Sequence, residues 1–172
     1  MLSEKLTKVL SDQVNAEYYS AYLYLAMSAA ADGMGLKGTA NWLFCQVQEE
    51  LAHGTHMYEY ILGRGAMPTF AAIENPQAAF ISMNEIFEKA LAHERMVTKR
   101  INAIATLAIE ESDHACYQFM MWYVDEQVEE ESGISEILGK LKFIGDNNGM
   151  LLTLDNELSA RVFVNPFPAK TN

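Results

Sequence analysis

Glu50 and His53 have the spacing of two metal ligands that share one face of a helix. Residues three apart in a helix are neighbours on its surface, so this Glu-x-x-His motif places a carboxylate beside an imidazole. Oxygen and nitrogen ligands of this kind suit iron, manganese or zinc. Because the motif is short and common by chance, its meaning depends on which other residues reach the same place.

Four long segments have the apolar spacing of amphipathic helices, and each carries a glutamate near the middle of its apolar stripe. These central residues are Glu17, Glu50, Glu94 and Glu130. Since each lies near mid-helix, the carboxylates would meet at one level of a bundle whichever way the helices run. A single glutamate in such a stripe is usually an exposed flank or a hydrogen-bonded core group, but one per helix favours a shared site.

Buried carboxylates in this number must be compensated. One buried unpaired carboxylate destabilises a protein by several kcal/mol, against a total stability of about 5–15 kcal/mol. No basic residue lies near the middle of a stripe, because Lys99 and Arg100 fall off the inward line of their helix. The carboxyls are therefore either protonated or bound to metal ions, and a carboxylate-rich helical site favours a di-iron or di-manganese pair.

The elements that position these residues are four long helices and a short fifth one. Ser3 is the predicted N-cap of the first, and Ser82 with Glu85 has the capping-box spacing at the start of the third. The helices are predicted at roughly 3–31, 36–64, 83–111, 114–144 and 150–159, with a tail over 160–172.

The link between the second and third helices indicates how the bundle is connected. Its ~17 residues can span up to ~55 Å when extended, more than the ~42 Å length of a helix of ~28 residues. It can therefore run the length of the bundle and make helices two and three parallel. The prediction is an all-α, ferritin-like four-helix bundle with one long crossover and a short fifth C-terminal helix.

Composition limits the function classes. A chain of 172 residues that is 50% hydrophobic suits one domain, residues 1–172, with a sizeable core. The net charge of -11 argues against a nucleic-acid partner and suits attraction of cations. No apolar run approaches the ~18 residues of a membrane span, and no signal segment is visible, so no membrane partner and a cytoplasmic location are expected. Cys45 and Cys116 form no CxxC pair, which argues against a thiolate metal site.

These residues resemble the bacterial non-haem ferritins over about residues 3–159. In that family the paired iron site takes a glutamate from helix one, Glu-x-x-His from helix two, a glutamate from helix three and Gln-x-x-Glu from helix four. The matching residues here are Glu17, Glu50, His53, Glu94, Gln127 and Glu130. The resemblance implies that Glu50 bridges two irons, with Glu17 and His53 on one and Glu94 and Glu130 on the other.

The resemblance also assigns supporting groups. Gln127 corresponds to a water-holding or supporting residue, and Tyr24, seven residues after Glu17, to the site tyrosine of the family. For Tyr24, a redox role and a plain core role are both open. A third iron site is implied at Glu49, Glu126 and Glu129, sharing Glu130, and the alternative for these acids is an ordinary solvated face.

Haem is not expected. Bacterioferritins carry a second Glu-x-x-His on helix four, where this chain has Gln127 and Glu130. They also carry a haem-ligating methionine after the helix-two glutamate, where this chain has Leu51.

The implied function is iron storage with ferroxidase activity. Members of this family form hollow 24-subunit homo-oligomeric shells, in which Fe(II) is oxidised by dioxygen or peroxide and stored as ferric mineral. Two other functions stay open on the residues alone. One is a di-iron oxygenase or radical generator, which needs a substrate pocket beside the metals, and the sequence shows no insertion that would form one. The other is a metal-free structural bundle with protonated carboxyls.

Overall fold

The computed structural model describes residues 1–167 and is all-helical over that range, which confirms the predicted fold class. The helices are α1 (Glu4–Gly33), α2 (Lys37–Gly63), α3 (Met83–Glu110), α4 (His114–Ile144) and α5 (Asn148–Leu158). Each helix end lies within two residues of its predicted position. Residues 168–172, the end of the predicted tail, lie outside the described residues. No helix in residues 1–167 combines the length and hydropathy needed to cross a membrane.

The predicted helix starts are present. The Ser3 hydroxyl accepts a hydrogen bond from the backbone N–H of Leu6 at 3.0 Å. The Ser82 hydroxyl accepts one from the N–H of Glu85 at 3.1 Å. The Glu85 carboxylate turns back to the N–H of Ile81 at 2.8 Å, one residue before the cap. The two serine contacts satisfy N–H groups that a helix leaves unpaired at its first turn, and the Glu85 contact holds the chain just before the cap.

Contacts between helices fix their directions. Gln46 of α2 bonds to Glu130 of α4 at 2.7 Å, and Arg64, directly after α2, bonds to Asp113, directly before α4, at 2.8 Å. The residue later in α2 is paired with the residue earlier in α4, so these two helices are antiparallel. Helix α3 is also antiparallel to α4, because a turn of three residues, 111–113, joins them. Helices α2 and α3 are therefore parallel, as the long crossover predicts.

The core consists of two apolar clusters separated along the bundle axis. One cluster lies toward the α5 end, and its fully buried members include Tyr24, Met27, Leu43, Phe87 and Ile134. The other lies toward the chain start, and its members include Leu10, Met57, Ile101, Cys116 and Met120. Each cluster draws on all four long helices, so burial of apolar surface holds the helices together on both sides of the level between them.

Helix α5 docks on the first turn of α2 through Asp155. Its buried carboxylate accepts hydrogen bonds from the N–H groups of Gly38 at 3.0 Å and Thr39 at 2.7 Å, and from the Thr39 hydroxyl at 2.7 Å. A negative charge here also meets the positive end of the α2 dipole. The contact fixes where α5 ends and where the tail begins.

Replacing Gly38 with alanine should destabilise the protein by about 2–4 kcal/mol. A Cβ at Gly38 would lie 1.7 Å from the carbonyl oxygen of Asp155, and backbone atoms cannot move aside as a flexible side chain can. The measurement is the free energy of unfolding by urea. Gly133→Ala in α4 is the matched control, because a Cβ at Gly133 would meet nothing within 4 Å. Alanine favours helix over glycine, so this substitution should raise the free energy of unfolding by about 0.5–1 kcal/mol. Equal effects of the two substitutions would contradict the docking of α5.

Candidate metal centre

A layer of polar side chains crosses the bundle between the two apolar clusters. All four long helices contribute buried members, which are Gln13, Glu17, Ser20, Gln46, Glu50, His53, His93, Glu94, Gln127 and Glu130. The four central glutamates are all in this layer, with exposed fractions from 0% at Glu94 to 8% at Glu130. Their burial is the property that makes the layer costly without compensation.

Glu17, Glu50 and His53 form the tightest group in the layer. One ligand atom of each lies within 4.8 Å of the ligand atoms of the other two. The spacing along α2 brings His53 Nδ1 to 3.6 Å from Glu50 Oε2. Helix α1 can approach because residue 54 is glycine: a Cβ there would lie 3.3 Å from the Cβ of Glu17. This geometry suits one metal ion held by two carboxylates and an imidazole.

Glu94 and Glu130 lie close enough to Glu50 for their charges to raise its pKa, and hydrogen-bond donors hold their oxygens. The Tyr24 hydroxyl donates to Glu94 Oε1 at 2.5 Å, and Gln127 Nε2 donates to Glu94 Oε2 at 3.1 Å. Gln46 Nε2 donates to Glu130 Oε2 at 2.7 Å. The predicted supporting residues Tyr24 and Gln127 are thus both in contact with Glu94.

Burial raises the pKa of the carboxyls in this layer. It is the largest cause for Glu50, whose pKa is raised well above the usual range, followed by the negative charges of Glu94 and Glu17. The pKa of Glu17 is also raised, chiefly by burial, although hydrogen bonds with Glu50 and Gln13 lower it. The pKa of Glu94 rises to about 7 and that of Glu130 well above its usual range, in both cases chiefly through burial. Without metal, protons compensate the layer.

His53 is neutral at physiological pH. Burial and, to a smaller extent, the charge of His56 together lower the pKa of its imidazole to about 4. A neutral imidazole keeps a lone pair for a metal ion. His53 Nε2 and Gln46 Oε1 are buried without a hydrogen-bond partner among the described residues, which is costly for polar atoms. Carboxylate oxygens with one imidazole nitrogen and unmet polar atoms fit a pair of ions such as iron.

Comparison with known proteins identifies the family of this chain. Residues 7–144 match the family model described as a ferritin-like domain. The chain belongs to the ferritin family. It is 40% identical over 158 residues to a probable bacterial non-haem ferritin-like protein of Haemophilus influenzae, covering 92% of this chain and 96% of the relative. It is 40% identical over 163 residues to a bacterial non-haem ferritin of Staphylococcus aureus, covering 95% and 98%.

Solved ferritin structures have the same fold as this family member. An open-pore ferritin from the hyperthermophilic archaeon Archaeoglobus fulgidus superposes with a TM-score of 0.93 at 45% identity, covering 94% of this chain and 99% of that chain. A humanized archaeal ferritin superposes with a TM-score of 0.94 at 44% identity, covering 95% and 99%. Both matches cover nearly the whole chain.

The structure adds two glutamines that the sequence analysis missed. Gln13 Nε2 donates to Glu17 Oε1 at 2.9 Å, and Gln46 bonds to Glu130 as described above. Each glutamine lies four residues before a central glutamate of its own helix, and that spacing alone could have identified both. They orient carboxylates that the apolar stripes place in the layer.

Arg100 takes part in the layer although its position on α3 is off the inward line. Its Nε donates to Gln13 Oε1 at 2.8 Å, and its Nη2 donates to the carbonyl of Asp12. Its positive charge helps to lower the pKa of Glu17, as the smallest of the causes that act on that group. A basic side chain therefore reaches Glu17 through one glutamine, which the sequence analysis did not anticipate.

The acids of the predicted third site lie at the edge of the layer. Glu49 and Glu126 are partly buried and Glu129 is exposed. The pKa of Glu126 is raised by burial and then by the charges of Glu129 and Glu49, so the three carboxyls are close in space. Arg161 of the tail donates to Glu49 Oε2 at 2.5 Å, so one of these acids is paired with a basic residue.

Replacing Glu50 with glutamine should stabilise the metal-free protein by about 1–3 kcal/mol at pH 8. The amide has the same shape, is neutral, and can still donate to Glu17. The gain should grow as pH rises, because the raised pKa of Glu50 means that deprotonation destabilises the wild-type fold. The measurement is thermal unfolding in the presence of a chelator.

Glu59→Gln is the control for this substitution. Glu59 is on the same helix but exposed, so Glu59→Gln should change the free energy of unfolding by no more than about 0.5 kcal/mol. A Glu50→Gln protein less stable than wild type would contradict the like-charged, buried environment of Glu50.

Proposed function

We propose that this protein stores iron, after binding Fe(II) at the polar layer and oxidising it there as a ferroxidase. The observation that carries the proposal is the group formed by Glu17, Glu50 and His53, whose ligand atoms lie within 4.8 Å of one another inside a buried layer. Membership of the ferritin family supports storage as the outcome.

Two Fe(II) ions are assigned to the layer. Glu50 is proposed to bridge them, because its ligand atom lies within 4.8 Å of those of Glu17 and His53 and its carboxyl is also close to the other two carboxyls. Glu94 and Glu130 bind the second ion, and their charges are close enough to Glu50 to raise its pKa. Gln127 and Tyr24 hold the Glu94 carboxylate in place by hydrogen bonds. Burial raises the pKa of Tyr24 well above its ordinary value, so its hydroxyl remains a donor.

Protons and electrons balance in this scheme. Fe(II) replaces the protons that compensate the carboxyls in the metal-free layer, and these protons are released. Each Fe(II) gives one electron, and dioxygen takes two electrons and two protons to become hydrogen peroxide. With peroxide as oxidant, two electrons and two protons give two waters. The carboxylates favour Fe(III) over Fe(II) because negative charge stabilises the higher oxidation state.

The assembly proposed for storage is a homo-oligomeric shell of 24 subunits, with a net charge of -11 per chain to attract cations. An apolar groove of about 380 Å³ between α1, α2 and the crossover supports subunit contact, and Tyr18, Tyr22, Leu25, Leu51 and Ile73 line it. Glu49, Glu126 and Glu129 are proposed as a third iron site. A cytoplasmic location stays a prediction.

Stepwise addition of Fe(II) in air should give a fast oxidation phase that saturates near ~2 irons per chain, followed by slower uptake into a large soluble particle. Glu50→Ala should slow the fast phase by at least ~100-fold, because the bridging ligand is lost. The measurements are rapid-mixing absorbance for oxidation and light scattering for particle size.

Glu59→Ala, an exposed glutamate of the same helix, should leave both phases unchanged. Oxidation no faster than in buffer, with precipitation of the added iron, would contradict the proposed ferroxidase. An unchanged fast phase in Glu50→Ala would contradict the site assignment alone.

A further inference from the structure

The chain after α5 lies along α2, beside the metal centre. The carbonyl of Arg161 accepts hydrogen bonds from Asn41 Nδ2 at 2.9 Å and from Cys45 Sγ at 3.6 Å. Further along, the ring of Phe167 stacks on His56 with 3.7 Å between centroids and 21° between planes. Residues 161–167 therefore follow α2 past the edge of the polar layer.

The guanidinium of Arg161 is held on this face by two different contacts. Its Nη2 donates to Glu49 Oε2 at 2.5 Å. Its Cζ lies 4.3 Å from the centroid of the Trp42 ring, a cation–π distance. Its Nη1 is buried and makes no hydrogen bond within residues 1–167. The side chain is only 25% exposed, so the tail brings a cation into a largely closed place.

The charge of Arg161 acts on several carboxyls. Burial raises the pKa of Glu49, Glu126 and Glu130, and the positive charge of Arg161 lowers the pKa of each. The negative charge of Glu129 also raises the pKa of Glu126. One guanidinium thus contacts Glu49 and acts through its charge on Glu126 and Glu130, three of the four acids of the proposed third iron site.

We propose that the guanidinium of Arg161 occupies the cation position of the third site, formed by Glu49, Glu126, Glu129 and Glu130. A metal ion can enter there only after Arg161 has left, because both need the Glu49 carboxylate and two positive charges repel. Arg161 therefore limits the protein to the paired ions of the polar layer. This role rests on the proposed function, since it assumes that the layer binds metal.

The contact is suited to this role and not to permanent closure. A guanidinium is planar, always charged and matched to carboxylates, so it is a good substitute for a metal ion. Its unmet Nη1 leaves the arrangement incompletely bonded, which favours release when metal is abundant. The limit on metal binding is thus strongest at low free metal concentration.

The test is equilibrium dialysis of the assembled, metal-free protein against Zn(II), a redox-inert probe that reports binding without turnover. Wild type should bind ~2 ions per chain and Arg161→Met ~3 at the same free Zn(II) concentration. Methionine keeps an apolar stem against Trp42 and removes the charge. Arg161→Gln also removes the charge, so it should bind as many ions per chain as Arg161→Met.

Two further variants locate the added ion. Lys140→Gln removes one positive charge from an exposed ion pair and should leave the count at the wild-type value. Glu49→Gln combined with Arg161→Met should return the count to ~2. An added ion that persists in this double variant lies elsewhere and overturns the proposal.

The remaining outcomes separate this inference from the proposed function. Equal counts of ~2 or ~3 in wild type and Arg161→Met overturn the role of Arg161 and leave the paired site standing. A wild-type protein that binds no Zn(II) in the layer overturns the proposed function and, with it, the role of Arg161.

Discussion

Burial of carboxylates at the middle of the bundle is the constraint on which the rest of the structure depends. A carboxylate removed from water destabilises the fold unless a proton, a hydrogen-bond donor or a cation compensates it. Two apolar clusters, one on each side of the layer, supply the burial that offsets this cost. Donors then fix the carboxylates in position: Gln13 on Glu17, Tyr24 and Gln127 on Glu94, and Gln46 on Glu130.

The same constraint connects structure to function. Raised pKa values favour protonation of the metal-free layer, which lowers the cost of burying its carboxyls. In the proposed function, Fe(II) exchanges with those protons, and the preformed ligand positions keep the cost of reorganisation low. At the edge of the layer, a side chain of the tail provides a cation in the same manner.

The sequence predicts those features that depend on position along one helix. The central glutamates interrupt apolar stripes, the caps follow from short motifs, and the long crossover follows from the reach of the chain. It does not predict contacts that depend on how distant elements meet. Arg100 reaches Glu17 only through Gln13 on another helix. The position of Arg161 depends on Asp155, which docks α5 on α2 across more than a hundred residues of chain.

The most direct test of the central claim is anomalous X-ray diffraction at the iron edge, from crystals loaded with Fe(II) under anaerobic conditions. The account predicts two iron peaks inside the bundle, about 3.5–4 Å apart. One should lie among Glu17, Glu50 and His53, and the other beside Glu94 and Glu130. Iron confined to surface acids, with no peak in the buried layer, would contradict the account.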